Sequence, residues 1–278
     1  MKITLLGTGS PLPNPDRSGP ATLVQTTHAN ILFDAGRGVV MRLAGAQLLP
    51  IMLSGVVLTH LHSDHVCDLN DVITTHWVMS PGPTMLRIVG PVGTMDFVEA
   101  TLASLRVDIG YRIDHHADLN EGPLLEVLEV HPGETFTIGG ETVLVGATDH
   151  RPVEPSLAYR IESGEQSIVI AGDGVPCASL DELVKGAGAY VQTVIRDDLV
   201  KQVPSARLQD ILDYHSSVEQ AADTARRAGV QALVMTHYVP APNPGSEDEW
   251  RALASAFEGL IVMGSDLTSL DLDTMNVT

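Results

Sequence analysis

The segment that decides the fold reads Thr59-His60-Leu61-His62-Ser63-Asp64-His65, with three imidazoles and one carboxylate between positions 60 and 65. In an extended stretch, His60 and His62 point to the same side because strand side chains alternate, and Asp64 and His65 follow the turn. Neutral imidazole nitrogen and carboxylate oxygen are ligands that zinc takes in proteins. The alternative is a polar loop that holds these residues by chance. Three histidines within six positions make this alternative the less favoured one. The segment therefore predicts a divalent metal site.

Strand and helix patterns surround this segment. Short apolar runs bounded by Gly, Pro or Asn predict strands over residues 3–6, 22–25, 31–34, 56–59, 124–130, 141–147, 157–162, 167–171, 189–195, 231–236 and 260–263. Helices are predicted over residues 68–79, 95–105, 180–185, 216–228 and 246–257. A β-rich half followed by a βαβα half favours an α/β fold with helices outside the sheets, in one domain over residues 1–278.

Composition and charge restrict the function. The 278 residues carry 35 acidic and 16 basic side chains, which gives a formal net charge of −19. Phosphate binding is dominated by Lys and Arg, so this charge disfavours RNA as a partner and anionic membranes as a surface. The two cysteines, Cys67 and Cys177, form no disulfide framework, and the start of the chain does not have the pattern of a signal peptide. A cytoplasmic protein is expected.

The metal segment, His60-x-His62-x-Asp64-His65, resembles the signature of the metallo-β-lactamase fold hydrolases. Further motifs resemble the branch that holds ribonuclease Z and its arylsulfatase-like and phosphodiesterase relatives: Gly7-Thr8-Gly9-Ser10, Phe33-Asp34-Ala35-Gly36, His150 upstream of Tyr159-Arg160-Ile161, Ala171-Gly172-Asp173, Tyr214-His215-Ser216-Ser217 and Leu233-Val234-Met235-Thr236-His237. The resemblance implies a four-layer αββα sandwich, in which two mixed sheets pack face to face with helices outside.

The same resemblance implies a site for two zinc ions, which manganese or iron can also occupy. One ion would be held by His60, His62 and His150, the other by Asp64, His65 and His237, and Asp173 would bridge them. His150, Asp173 and His237 each follow a predicted strand, and the ends of such strands meet at one edge of a sheet. A water shared by two such ions becomes a nucleophile near neutral pH.

Two residues are expected to act in catalysis beside the metals. Asp64 would do so as a metal ligand. His215 would be a proton donor, because imidazole titrates near neutrality. The alternative for His215 is a structural hydrogen bond at the start of a helix.

Three departures from ribonuclease Z favour a different substrate. His150 and Asp173 are 23 positions apart, which leaves no room for the long tRNA-binding arm that ribonuclease Z proteins usually insert there. The net charge disfavours a polyanion. Thr193 stands where a His-Glu-Ala-Thr stretch would place the glutamate partner of His215.

The predicted function is therefore a dinuclear-zinc hydrolase of small esters, of phosphodiester or aryl ester and sulfate type. The alternative is ribonuclease Z, a tRNA 3′-end processing endonuclease. Loops over residues 11–19, 109–119 and 239–245 are expected to select the substrate. The resemblance also implies a homodimer.

Overall fold

Two β-sheets pack against each other through side chains that alternate along their strands. The structure is a computed structural model that describes residues 1–278. The strands of the first half are β1 Lys2–Gly7, β2 Ala21–Gln25, β3 Asn30–Phe33, β4 Gly55–Val57, β5 Met85–Gly90, β6 Leu124–Glu129 and β7 Thr135–Ile138. Those of the second half are β8 Glu141–Ala147, β9 Leu157–Ser163, β10 Gln166–Ile170, β11 Ala189–Ile195, β12 Ala232–Val239, β13 Leu260–Met263, β14 Ser269–Asp271 and β15 Asn276–Val277.

Both sheets are mixed. One has eight strands in the order β15-β14-β1-β2-β3-β4-β5-β6, and the other has seven in the order β13-β12-β11-β10-β9-β8-β7. Strands β3 to β6 are mutually parallel in the first sheet, and β10 to β13 are parallel in the second. The remaining pairs are antiparallel.

Nine helices lie along the chain. They are α1 Val39–Gly45, α2 Ser63–Val66, α3 Leu69–Met79, α4 Thr94–His115, α5 Ala178–Val184, α6 Asp197–Val200, α7 Ala206–Gln209, α8 Val218–Ala228 and α9 Glu247–Leu253. Single 3₁₀ turns form at Pro50–Met52 and Asp210–Asp213. None of the helices combines the length and the apolar character needed to span a membrane.

Strand alternation creates the layers. Ile168 and Ile170 of β10 belong to the central core between the sheets, whereas Val169 belongs to the core under α5, α8 and α9. In β3, Ile31 faces the central core, and Leu32 packs under the helices of the first half. Since successive strand residues point to opposite faces, each sheet is covered on both sides. The predicted four-layer αββα sandwich is confirmed.

Several elements differ from the sequence-based expectation. Helix α4 runs to His115, so much of the predicted loop over residues 109–119 is helical; Leu105, Ile109 and Ile113 recur four residues apart, which is a helical spacing. Strands β5 and β7 and helix α1 are not anticipated by the patterns described above. Strand β12 extends to Val239 through a register irregularity opposite Thr193 and Ile195. That irregularity places His237 inside the strand with a φ of 50°, and bulges of this kind are frequent next to active sites.

Candidate metal centre

The edge where the parallel strands end gathers the predicted site residues. His60 follows β4, Asp173 follows β10, and His237 lies near the end of β12. Two sets of side chains each bring their ligand atoms within 4.8 Å of one another: His60, His62, His150 and Asp173 in one, and Asp64, His65 and His237 in the other. A third set joins His215 to Asp173 and His237. The structure thus brings every predicted ligand, and His215, to one place.

Asp173 lies at the centre of this cluster and is 2% exposed. Its Oδ2 atom is 3.8 Å from the Nε2 atoms of both His60 and His150. The same oxygen is 3.4 Å from Nε2 of His65 and 3.7 Å from Nε2 of His237. One carboxylate therefore faces imidazoles of both sets, as a bridging ligand would.

Backbone and side-chain acceptors fix the ring orientation of several histidines. Nδ1 of His150 lies 2.8 Å from the carbonyl oxygen of Tyr214. A carbonyl only accepts, so Nδ1 carries the proton and Nε2 presents its lone pair to the cluster. Metal-binding histidines are usually oriented in this way.

Asp34 orients His65 by the same principle. Its Oδ2 atom accepts a hydrogen bond from Nδ1 of His65 at 2.8 Å, and its Oδ1 atom accepts one from the backbone N–H of Thr59 at 2.8 Å. Asp34 is buried and has a φ of 60°, which is uncommon for a residue other than glycine. No role for Asp34 is predicted from the sequence, although its position directly after β3, at the same edge as the predicted ligands, is a signal that could have revealed it.

Burial and charge set the protonation of the metal-free cluster. Burial lowers the pKa of His150 to about 4, and burial together with the charge of His65 holds the pKa of His60 well below its ordinary value. His65 is the opposite case: burial lowers its pKa, but the carboxylates of Asp173 and Asp34 raise it well above the ordinary value. The imidazoles of His60 and His150 are therefore neutral, whereas His65 is protonated and a cation would replace its proton.

The two carboxylates remain ionised in this environment. Burial alone would raise the pKa of Asp173, but the charges of His237 and His65 hold it well below its ordinary value. For Asp64, burial is likewise outweighed by the hydrogen bond from His237. Both carboxylates are thus available as negatively charged ligands.

The donor set fits a divalent cation. Three buried atoms in the cluster, Nε2 of His65, Nδ1 of His237 and Oδ1 of Asp173, have no hydrogen-bond partner. Nε2 of His60 and Nδ1 of His62 lie 3.0 Å apart, a separation at which two lone pairs repel each other unless a proton or a cation lies nearby. Unpartnered buried polar atoms are costly, and imidazole and carboxylate together are a typical zinc set.

His215 has partners other than the glutamate that the resemblance suggested. Its Nδ1 atom lies 3.2 Å from the carbonyl oxygen of Ile211, and its Nε2 atom lies 3.2 Å from Oδ2 of Asp173. The nearby acids are engaged elsewhere, Asp197 with Lys201 and Asp198 with Arg196. In place of a glutamate, the backbone carbonyl of Ile211 therefore holds Nδ1 of the His215 ring.

Comparisons with known proteins agree on the family. The model of the beta-lactamase superfamily domain matches residues 29–238. Ribonuclease Z of Mycolicibacterium paratuberculosis is 54% identical over 276 residues, which is 98% of this chain and 99% of that protein.

Solved structures share the fold. The metallo-β-lactamase fold protein YhfI of Bacillus subtilis has a TM-score of 0.73 at 22% identity, with 96% of this chain and 97% of that one covered. The short form of human tRNase Z has a TM-score of 0.71 at 22% identity, with 98% and 99% covered.

These comparisons correct the function and the partner predicted from the sequence. The preference for a small-ester hydrolase, with RNA disfavoured, is wrong, because whole-chain relatives at 52–54% identity are named ribonuclease Z. The short interval before Asp173 does not exclude this function, because the first of these relatives is matched over 99% of its own length and so has no long segment that this chain lacks. The net charge does not exclude it either, because a sum over the surface does not describe the charge at the site.

The fold, the His/Asp cluster and the relatives agree with one another. The cluster implies a divalent metal, and the chain is a metal-dependent hydrolase. It belongs to the ribonuclease Z family of the beta-lactamase superfamily.

Proposed function

We propose that the chain is an endonuclease that cleaves a phosphodiester bond in tRNA precursors to release the 3′ trailer. The observation that carries this proposal is the 54% identity to a ribonuclease Z over 98% of the chain. The buried cluster around Asp173 supports it, since phosphodiester cleavage needs a nucleophile and a counter-charge for the phosphate at one place. A central core drawn from both halves of the chain supports one hydrolase domain over residues 1–278.

Two zinc ions are the proposed cofactors. His60, His62 and His150 would hold one, Asp64, His65 and His237 the other, and Asp173 would contact both. Such cations supply a nucleophile at neutral pH and offset the negative charge that develops on the phosphate. The chain contributes the orientation of the ligands, through Asp34 on His65 and the Tyr214 carbonyl on His150.

His215 would hold the proton that the leaving oxygen of the RNA needs. With Nδ1 facing the Ile211 carbonyl, Nε2 is the ring atom that faces the cluster. His215 is 7% exposed, so its ring is shielded from bulk water. General acids within hydrogen-bond reach of the leaving atom typically contribute about 10²- to 10⁴-fold to the rate.

The RNA would be bound without a protruding arm. Strands β9 and β10 are joined by a tight turn in which Gly164 has a φ of 59°, and Ser163 pairs directly with Gln166. The body of the tRNA must then be gripped by loops around the metal centre. Arg17, in the loop over residues 11–19, stacks its guanidinium 5.0 Å from the ring centroid of Tyr238, the residue that follows His237.

A homodimer through the helices of the first half is part of the proposal. Met41 of α1, Met52 of the 3₁₀ turn and Met79 of α3 are 76%, 49% and 42% exposed, whereas α5, α8 and α9 expose no large apolar side chain. Light scattering is expected to give twice the chain mass for the wild type and a monomer for Met41→Glu/Met52→Glu. Leu208→Glu, on α7, is the matched control and should stay dimeric; a monomeric wild type would refute this part.

The reducing cytoplasm is the proposed location, where precursor RNA is present. Both cysteines, Cys67 and Cys177, are free thiols, which agrees with a reducing compartment.

The deciding experiment is to map the cut. Zinc-loaded protein is incubated with a tRNA precursor that carries a 3′ trailer, and the product ends are sequenced. One cut at the junction of tRNA and trailer supports the proposal. Scattered cuts, or none while a chelator-sensitive activity persists on other substrates, would refute it.

A further inference from the structure

A row of buried polar side chains lies along β11, beneath Asp173. Tyr190, Gln192 and Thr193 are at most 3% exposed. The hydroxyl of Tyr190 donates to Oε1 of Gln192. Burying polar groups in the middle of a sheet is costly unless they are hydrogen-bonded. The hydrogen-bond partners of these three side chains therefore indicate their role.

The hydrogen bonds of these side chains converge on one backbone carbonyl group, that of Gly172. Oγ1 of Thr193 donates to this oxygen at 3.0 Å, and Nε2 of Gln192 donates to it at 3.2 Å. Neighbouring strand residues normally point to opposite faces. Here both reach the same acceptor, where the register between β11 and β12 becomes irregular after Thr193.

Gly172 is confined from the opposite side by Thr59. A Cβ atom added to Gly172 would lie 2.8 Å from Cβ of Thr59, and the residue has a φ of 64°, which favours glycine. Oγ1 of Thr59 lies 3.0 Å from Nδ1 of His60. Gly172 is therefore held between the end of β4 in one sheet and the end of β11 in the other.

The Gly172 carbonyl and the N–H of Asp173 belong to one peptide plane, which is rigid. Anchoring the carbonyl oxygen thus fixes the direction in which the Asp173 side chain leaves the backbone. Oδ2 of Asp173 is between 3.4 and 3.8 Å from Nε2 atoms of both ligand sets. A tilt of the plane would lengthen some of these distances and shorten others.

We infer that Thr193 and Gln192 are positioning residues, which hold Asp173 where it can contact two metal ions at once. Thr193 occupies the place where the family resemblance suggested a glutamate for His215, but its hydroxyl acts on the backbone before Asp173. The inference rests on the proposed metal assignment, in which Asp173 is shared, and does not depend on the RNA substrate.

The test is a zinc titration of metal-free protein in competition with a chromophoric chelator, without RNA. Thr193→Val keeps the shape and removes the hydroxyl, and we expect zinc affinity to fall by about 10- to 100-fold, as is typical for partners of metal ligands. Thr193→Ser, which keeps the hydroxyl, should restore the wild-type affinity.

A control separates positioning from general stability. Thr4→Val removes another buried strand hydroxyl, whose Oγ1 lies 2.9 Å from Oγ of Ser269 in the first sheet; it should lower the melting temperature and leave zinc affinity unchanged. If Thr193→Val does not fold, the zinc affinity of the double variant Tyr190→Phe/Gln192→Met is measured instead. This variant removes both partners of a buried hydrogen bond together.

The results are read independently of RNA cleavage. Weaker zinc binding in Thr193→Val or in the double variant, with rescue by serine at position 193, supports the inference. Wild-type zinc affinity and two ions per chain in every one of these variants that folds would overturn it. Neither result bears on the proposed RNA substrate, because cleavage of precursor tRNA is measured separately.

Discussion

Oδ2 of Asp173 lies 3.2 Å from Nε2 of His215, and both side chains are buried. The other ring nitrogen of His215 faces the carbonyl oxygen of Ile211, which only accepts, so Nδ1 carries a hydrogen. The contact at Nε2 is then a hydrogen bond only when Nε2 carries one as well. Nε2 is thus the ring atom of His215 that faces the cluster, where a leaving group would take up a proton.

Replacing His215 by alanine is predicted to lower kcat on precursor RNA by about 10²- to 10⁴-fold while leaving metal content unchanged. The loss should shrink on RNA whose leaving oxygen is replaced by sulfur, because a thiolate needs no proton to leave. His76→Ala, a buried histidine of α3 outside the cluster, is the control and should show no such dependence. An equal loss on both leaving groups for His215→Ala would instead indicate a structural role.

Removal of the metal is predicted to abolish cleavage, and added zinc should restore it. Asp173→Ala should hold fewer than two ions per chain, because one carboxylate serves both ligand sets. Elemental analysis of the purified proteins measures this directly. Two ions per chain in the variant would show that Asp173 is not shared.

Asp34→Asn is predicted to weaken zinc binding by about 10- to 100-fold. The amide keeps the shape but loses the negative charge that accepts from His65. Asp266→Asn is the matched control: it is a buried carboxylate that accepts from the backbone N–H groups of Thr8 and Ser18, and should affect stability only. Unchanged zinc affinity in Asp34→Asn would remove Asp34 from the metal site.

Ser217→Ala is predicted to lower the free energy of unfolding by about 1 kcal/mol. Ser217 begins α8 with a capping box, in which its hydroxyl accepts from the N–H of Gln220 and the Gln220 side chain accepts from the N–H of Ser217. Urea unfolding measures the loss, and Ser217→Thr should retain most of the stability. Ser246, which makes no cap hydrogen bond at α9, provides the comparison; an equal loss there would contradict the cap assignment.

The sequence was informative where chemistry is carried by side chains in a recognisable order. The His60–His65 segment and the strand-end positions of Asp173 and His237 predicted the fold, and the side chains predicted to bind metal are ones that the structure gathers at one place. The carbonyls of Tyr214 and Ile211, which orient two histidines, had no such signal, because every residue has a carbonyl and only the tertiary fold selects one.

Substrate choice was predicted wrongly for a different reason. Neither the chain-wide charge nor the short interval before Asp173 describes the surface that binds the substrate. The relatives named ribonuclease Z are matched over nearly their whole length, so the short interval is compatible with that name. Which surface meets the RNA depends on the packing of loops, and a sum of charges contains no such information.

The most direct test of the central claim compares kcat/KM for a tRNA precursor that carries a 3′ trailer with kcat/KM for bis(p-nitrophenyl) phosphate. The same zinc-loaded preparation is used for both, at physiological salt, and the chelated protein is the blank. We predict release of the intact trailer, with a kcat/KM for the precursor far above that for the small diester. Turnover of the small diester without cleavage of the precursor would contradict the account.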